Sequence, residues 1–131
     1  EIQSLLIARV LAQETEIILL DEPTANLDIG RQAEILDLIK GLCHEHNLTV
    51  LAALHELNLA SQYCDRLILI NNGQIHAEGT PLEVITARNI SDVYGAGSSV
   101  YAHPVNGLPC VLLNAGNGRM ARPDDMLKEI S

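Results

Sequence analysis

Two short runs, Glu16–Leu20 (EIILL) and Leu48–Leu54 (LTVLAAL), constrain this 131-residue chain more than any other feature. Both are apolar at successive positions rather than alternate ones, so a strand built from either has two faces to bury. Between them, from Ile29 to about His46, apolar residues fall at Ile35, Leu36, Ile39, Leu42 and Cys43, while Arg31, Glu34, Asp37 and Lys40 take the opposite face. That spacing predicts an amphipathic helix, with Asp28 as its N-cap. Strand, helix and strand, each strand apolar throughout, predict an α/β layer with a parallel sheet. Ligands of such sheets bind beyond the carboxyl ends of the strands. Both predicted strands end in residues capable of chemistry: Asp21-Glu22 follows Leu20, and His55 follows Leu54.

The flanking segments read more simply. Residues 2–13 (IQSLLIARVLAQ) lack Gly and Pro and predict a helix. Residues 24–28 predict a loop and residues 56–64 a short helix. Arg66–Ile70 and Gln74–Glu78 flank Asn71-Asn72-Gly73, a strong hairpin signal. Pro81 opens a further short helix, and residues 88–94 add a helical turn or two. A second hairpin is expected from Ser99–Val105 and Leu108–Asn114, around Asn106-Gly107. Residues 115–131 read as weakly structured, ending in a short helix.

Composition removes several functions. Eight Lys and Arg against 17 Asp and Glu leave a net charge of −9, which argues against a nucleic-acid partner bound through phosphates. Three Tyr with no Trp or Phe cannot build a base-stacking platform. Cys43, Cys64 and Cys110 are odd in number and far apart, which predicts a reducing cytoplasm rather than a disulfide framework. No apolar run reaches the ~18 residues of a membrane span.

Asp21 and Glu22 are adjacent acids at a strand end, where both can turn toward one crevice. An Asp there can hold Mg²⁺, usually through water, beside nucleotide phosphates, and a Glu can polarise an attacking water. The same pair also suits a plain strand cap facing solvent. His55, taken alone, also fits a satisfied turn residue. His44 and His46 suit the negative end of a helix dipole, and positions two apart diverge by about 200° on a helix, too far for a His-Glu-His metal site. His76 is expected on the solvent face of a hairpin strand, and His103 lies in the tail.

The run Ile17-Ile18-Leu19-Leu20-Asp21-Glu22-Pro23-Thr24-Ala25-Asn26-Leu27-Asp28 closely resembles the Walker B strand and D-loop of ABC-type ATPases. Leu51-Ala52-Ala53-Leu54-His55-Glu56-Leu57 resembles their second strand and switch histidine. Glu1-Ile2-Gln3-Ser4-Leu5-Leu6-Ile7-Ala8-Arg9 resembles the end of the LSGGQ signature, as an LSGGE variant, and the helix behind it. Asp65–Ile70, Gly73-Gln74-Ile75 and Glu78-Gly79-Thr80-Pro81 resemble the closing hairpin. The resemblance covers residues 1 to about 95 and implies the carboxyl-terminal half of a P-loop NTPase (RecA-like) domain, with residues 96–131 as an extension.

That resemblance implies ATP and Mg²⁺ as ligands. It makes Asp21 the Mg²⁺ partner, Glu22 the general base and His55 the sensor of the γ-phosphate. Asp28 and Glu1 would face a second ATPase subunit across a nucleotide sandwich in a homodimer. It further implies transmembrane permease subunits as partners and a cytoplasmic location on the inner face of the cell membrane. Glu56-Leu57-Asn58-Leu59-Ala60 after the histidine is similar to the HDLNLA of iron–siderophore, haem and vitamin B12 importers; exporters more often carry an HRL-type stretch. Pro81–Thr86 and Val93-Tyr94-Gly95 add to the importer likeness.

One family element is missing from the sequence. A Walker A loop, GxxxxGK[ST], holds the β- and γ-phosphates, but Lys40 and Lys128 follow Ile39 and Leu127, so no Gly-Lys pair exists. The Q-loop, the helical subdomain and the first four signature residues are absent too. With Glu1 in place of an initiator Met, the expectation is a fragment cut inside the signature. The alternative is a non-catalytic module, a split-gene remnant or regulatory piece that only pairs with a partner chain. Without phosphate anchoring, which supplies much of phosphoryl-transfer catalysis, the purified 131-residue chain is expected to show no Mg²⁺-dependent ATP turnover. Turnover that survives removal of contaminating ATPases contradicts this.

Overall fold

The computed structural model describes residues 2–95 and 97–114. Glu1 and the terminal helix expected in residues 115–131 lie outside the described residues. The chain runs α1 (Ile2–Gln13), β1 (Ile17–Asp21), α2 (Ile29–His46), β2 (Thr49–Ala53), α3 (Leu57–Tyr63), β3 (Leu67–Asn71), β4 (Gln74–Gly79), α4 (Pro81–Val84), α5 (Ala87–Tyr94), β5 (Ser98–Ala102) and β6 (Pro109–Leu113).

The two apolar runs pair in parallel, from Ile17 opposite Thr49 to Asp21 opposite Ala53. The ladder continues past both ends: the Thr49 amide donates to the Glu16 carbonyl at 2.8 Å, and the Glu22 amide to the Ala53 carbonyl at 2.9 Å. Parallel strands need a crossover rather than a tight turn, and α2 is that crossover. Asp28 caps it as expected, accepting from the Arg31 amide at 2.9 Å. The helix stops at Asn47, whose φ of 52° lets the next amide, that of Leu48, reach back to the Cys43 carbonyl at 3.0 Å.

Burial corrects one expectation. Ile18 and Leu20 join Val10 of α1 and Ile39, Leu42 and Val50 around one apolar crevice, and Ile35 and Leu36 of α2 are buried. The other face is open: Ile17, Leu19 and Leu51 are exposed, Leu19 by 73%. The strands expected to be buried on both faces are buried on one, because α1 and α2 cover a single side and nothing among the described residues covers the other.

A second core forms around the β3–β4 hairpin. Asn72 and Gly73, with φ of 50° and 73°, make the tight turn that Asn-Gly predicted. Leu69 is buried with Val84, Ile85 and Ile90. The register shifts after Leu69, which leaves His76 as the extra residue of a bulge. His76 is exposed as a residue but its side chain is only 27% exposed, with Nε2 3.8 Å from Asp92 Oδ2. A capping box between Thr80 and Glu83 starts α4 behind Pro81.

The tail hairpin is shorter than Ser99–Val105 and Leu108–Asn114. β5 and β6 pair from Ser98 opposite Leu113 to Ala102 opposite Pro109. Asn106-Gly107 is not a two-residue turn: the His103 amide donates to the Leu108 carbonyl at 2.7 Å, and the Gly107 amide to the His103 carbonyl at 2.8 Å. Residues 104–107 are therefore a four-residue loop. Among the described residues, no helix is long and apolar enough to cross a membrane.

Leu19 and Leu51 sit opposite one another on the open face. Fully burying one such side chain is worth about 1.5–3 kcal/mol, so the isolated chain is expected to self-associate. Light scattering should show oligomers for the parent chain and smaller species for a Leu19→Lys, Leu51→Lys double variant with unchanged circular dichroism. A monodisperse parent monomer contradicts the expectation.

Candidate functional site

The site lies where β1 and β2 end together. Because the register is straight, Asp21 and Ala53 are the last paired residues, and the chain leaves both strands at one level. Asp21 is still within the strand. By alternation it shares the open face with Ile17 and Leu19, and it is exposed.

Glu22 departs from that alternation. Its φ is 46°, a left-handed conformation that costs a non-Gly residue about 1–3 kcal/mol. Two turns follow, from the Ala25 amide to the Glu22 carbonyl at 3.1 Å and from the Leu27 amide to the Thr24 carbonyl at 3.3 Å. Thr24 is buried and Asn26 also has positive φ, at 62°. The expected loop over residues 24–28 is thus a tight double turn that delivers Asp28 to the start of α2.

The backbone reversal brings Glu22 to the residue that follows the other strand. Glu22 Oε1 lies 3.4 Å from His55 Nδ1, and the two side chains are 52% and 63% exposed. At this length and exposure the contact is worth about 0–1 kcal/mol. The backbone, not this contact, places the carboxylate.

The structure therefore gathers Asp21, Glu22 and His55 at one sheet end, with Asp28 one double turn away. Glu1 lies outside the described residues. Among the described residues no group of three or more His, Cys, Asp or Glu side chains could enclose a metal ion. One or two carboxylates fit the donor chemistry of Mg²⁺, which keeps its waters and is held largely by substrate phosphates.

Sequence reasoning missed the support behind His55. Gln32 occupies an apolar-stripe position of α2, three and four residues before Ile35 and Leu36, and is buried. Its Nε2 donates to Glu56 Oε1 at 3.0 Å. A polar residue on an otherwise apolar stripe was the available signal. The polar spacing of Asn58, Ser61 and Gln62 was another, and all three contact the tail hairpin.

No protein-family model matches the chain. It is 46% identical over 106 residues to the ferric enterobactin transport ATP-binding protein FepC of Escherichia coli (strain K12), covering 81% of this chain and 39% of that protein. It is 40% identical over 116 residues to the hemin import ATP-binding protein HmuV of Vibrio anguillarum, covering 85% of this chain and 45% of that protein. Among solved structures it superposes on an ABC transporter assigned to the metal-chelate type, in an inward-facing conformation. That match has a TM-score of 0.71 and 26% identity, and covers 85% of this chain and 45% of the other. The chain spans less than half the length of the curated relatives it matches. With the β1–α2–β2 unit and its strand-end Asp-Glu and His on the same frame, the chain is a relative of ABC transporter ATP-binding proteins over less than half of their length, and its fold matches part of their P-loop NTPase domain.

Proposed function

We propose that this chain supplies the hydrolytic half of an ABC importer ATPase that handles iron–siderophore, haem or vitamin B12-type chelates. The observation that carries the reading is the meeting of Glu22 and His55 across the ends of two parallel strands. The names of the relatives, a ferric enterobactin transporter and a hemin importer, support the substrate class. Both are ATP-binding proteins by name, which supports ATP as the nucleotide.

In this reading ATP lies beyond the carboxyl ends of β1 and β2. Glu22 orients a water and accepts its proton as the water oxygen attacks the γ-phosphorus. The bond from that phosphorus to the bridging oxygen breaks, and its electron pair leaves with ADP. Asp21 would hold Mg²⁺, and the ion would neutralise phosphate charge. His55 contacts the γ-phosphate, so its position depends on whether that group is present. Glu22 and His55 are half exposed or more, whereas phosphoryl transfer gains from excluded water. A second ATPase subunit covering the site, with Asp28 and Glu1 at the shared interface, meets that need. Permease subunits and a place on the cytoplasmic face of the membrane complete the proposal. The 131-residue chain alone, lacking a Gly-Lys phosphate loop, is inactive.

The test compares three variants of the complete subunit that carries this segment. Glu22→Gln keeps shape and loses the base, so ATP binding should survive while hydrolysis falls by about 10²–10⁴-fold. Gel filtration with ATP should then show a trapped dimer. Asp21→Asn should weaken Mg²⁺-dependent ATP binding as well as turnover, and His55→Ala should slow turnover. Parental hydrolysis by Glu22→Gln overturns the assignment. So does loss of ATP binding by Glu22→Gln while Asp21→Asn retains it. Either result returns the two acids to the role of a strand cap.

A further inference from the structure

α3, which begins two residues after His55, is only seven residues long. A helix of two turns is not stable through its own hydrogen bonds. Its N-cap residue, Glu56, makes no side-chain cap bond; its carboxylate is held by Gln32 instead. The order of α3 therefore depends on what it packs against.

Asn58, Ser61 and Gln62 stand at i, i+3 and i+4, on one face of α3, and each bonds to the β5–β6 hairpin. The Asn58 amide grips Val111 twice: Oδ1 accepts from its N–H at 2.7 Å, and Nδ2 donates to its carbonyl at 3.0 Å. It stands where one residue of a neighbouring strand would. Ser61, 1% exposed, donates from Oγ to the Pro109 carbonyl at 2.6 Å. Gln62 Oε1 accepts from Asn106 Nδ2 at 2.6 Å. β6 thus has β5 along one edge and the polar side chains of α3 along the other. Pro109 and Val111 are two residues apart, so both present their backbone to the same side.

We propose that the β5–β6 hairpin positions His55 through α3, and that Asn58 and Ser61 are positioning residues for ATP hydrolysis. The proposal rests on the reading of His55 as the group at the γ-phosphate. Neither residue touches the site. Each fixes the helix whose first turn sets where His55 meets Glu22, with only Glu56 in between. The contact at 3.4 Å is too weak to hold His55 by itself, so release of α3 loosens it.

A double-mutant cycle tests the coupling in the complete subunit, with turnover counted per nucleotide-binding site so that unfolded protein does not enter. Asn58→Ala and Ser61→Ala are each expected to lower kcat about three- to tenfold. The KM for ATP should stay within about twofold of the parent, since neither residue is placed against the nucleotide. In a His55→Ala background neither variant should lower kcat further. Asn58→Asp, which keeps the shape but sets an oxygen against the Val111 carbonyl, should match Asn58→Ala. The same loss in both backgrounds, or no loss in the parent, overturns the proposal while leaving His55 in its role. A His55→Ala variant with parental turnover overturns the proposal at its base, and that failure is distinct because it needs no hairpin variant to appear.

Discussion

The in-register parallel pairing of β1 with β2 is the constraint on which the site depends. Ile17 to Asp21 match Thr49 to Ala53 one for one, so both strands release their chains at the same height. A slip of one residue would exchange the faces of one strand and move Glu22 and His55 out of step. The register is set by the covered side, where Ile18, Leu20 and Val50 meet Val10, Ile39 and Leu42. Apolar packing on one side of the sheet thus fixes the placement of polar groups at its end. The magnitudes agree. A half-exposed Glu–His contact at 3.4 Å, worth about 0–1 kcal/mol, cannot by itself offset a left-handed Glu22 that costs about 1–3 kcal/mol. The ladder bond from Glu22 to Ala53 and the double turn to Asp28 hold that conformation.

The open sheet face and the exposed site are parts of one surface. Asp21 continues the row begun by Ile17 and Leu19, so a cover laid over that face meets the carboxylate at its end. In the proposed reading this links folding to activity: the element that shields Leu19 and Leu51 also borders the nucleotide site. The tail hairpin works from another side. It contacts α3 through Asn58, Ser61 and Gln62, and so bears on His55 rather than on the acids.

Much of this was legible in the sequence because it follows from local rules. Continuous apolar runs gave the two strands, the stripe from Ile35 to Cys43 gave α2, and Asp28 and Asn72-Gly73 announced a cap and a turn. The strand-end acids and His55 were legible through their position and their motif context. What was not legible depends on contacts far apart in the chain. Nothing local to Glu22 predicts a positive φ, since Glu has no preference for it and the conformation arises where the ladder to Ala53 gives way to the turns that lead to Asp28. Gln32 looked like a lapse in an apolar stripe until Glu56, 24 residues away, supplied its partner. Asn106-Gly107 signalled a tight turn, but the pairing of His103 with Leu108 set the loop at four residues. The open face was misread because a strand's composition records what covers it in the folded protein, wherever that cover comes from.

In the proposed reading the ends of β1 and β2 together form the hydrolytic centre. A high-resolution structure of the complete subunit with Mg²⁺ and a non-hydrolysable ATP analogue tests it most directly. The expected result is a water within hydrogen-bond distance of both Glu22 and the γ-phosphate, with His55 against that phosphate. A γ-phosphate and attacking water held by other residues, with Glu22 and His55 both turned to solvent, would contradict it.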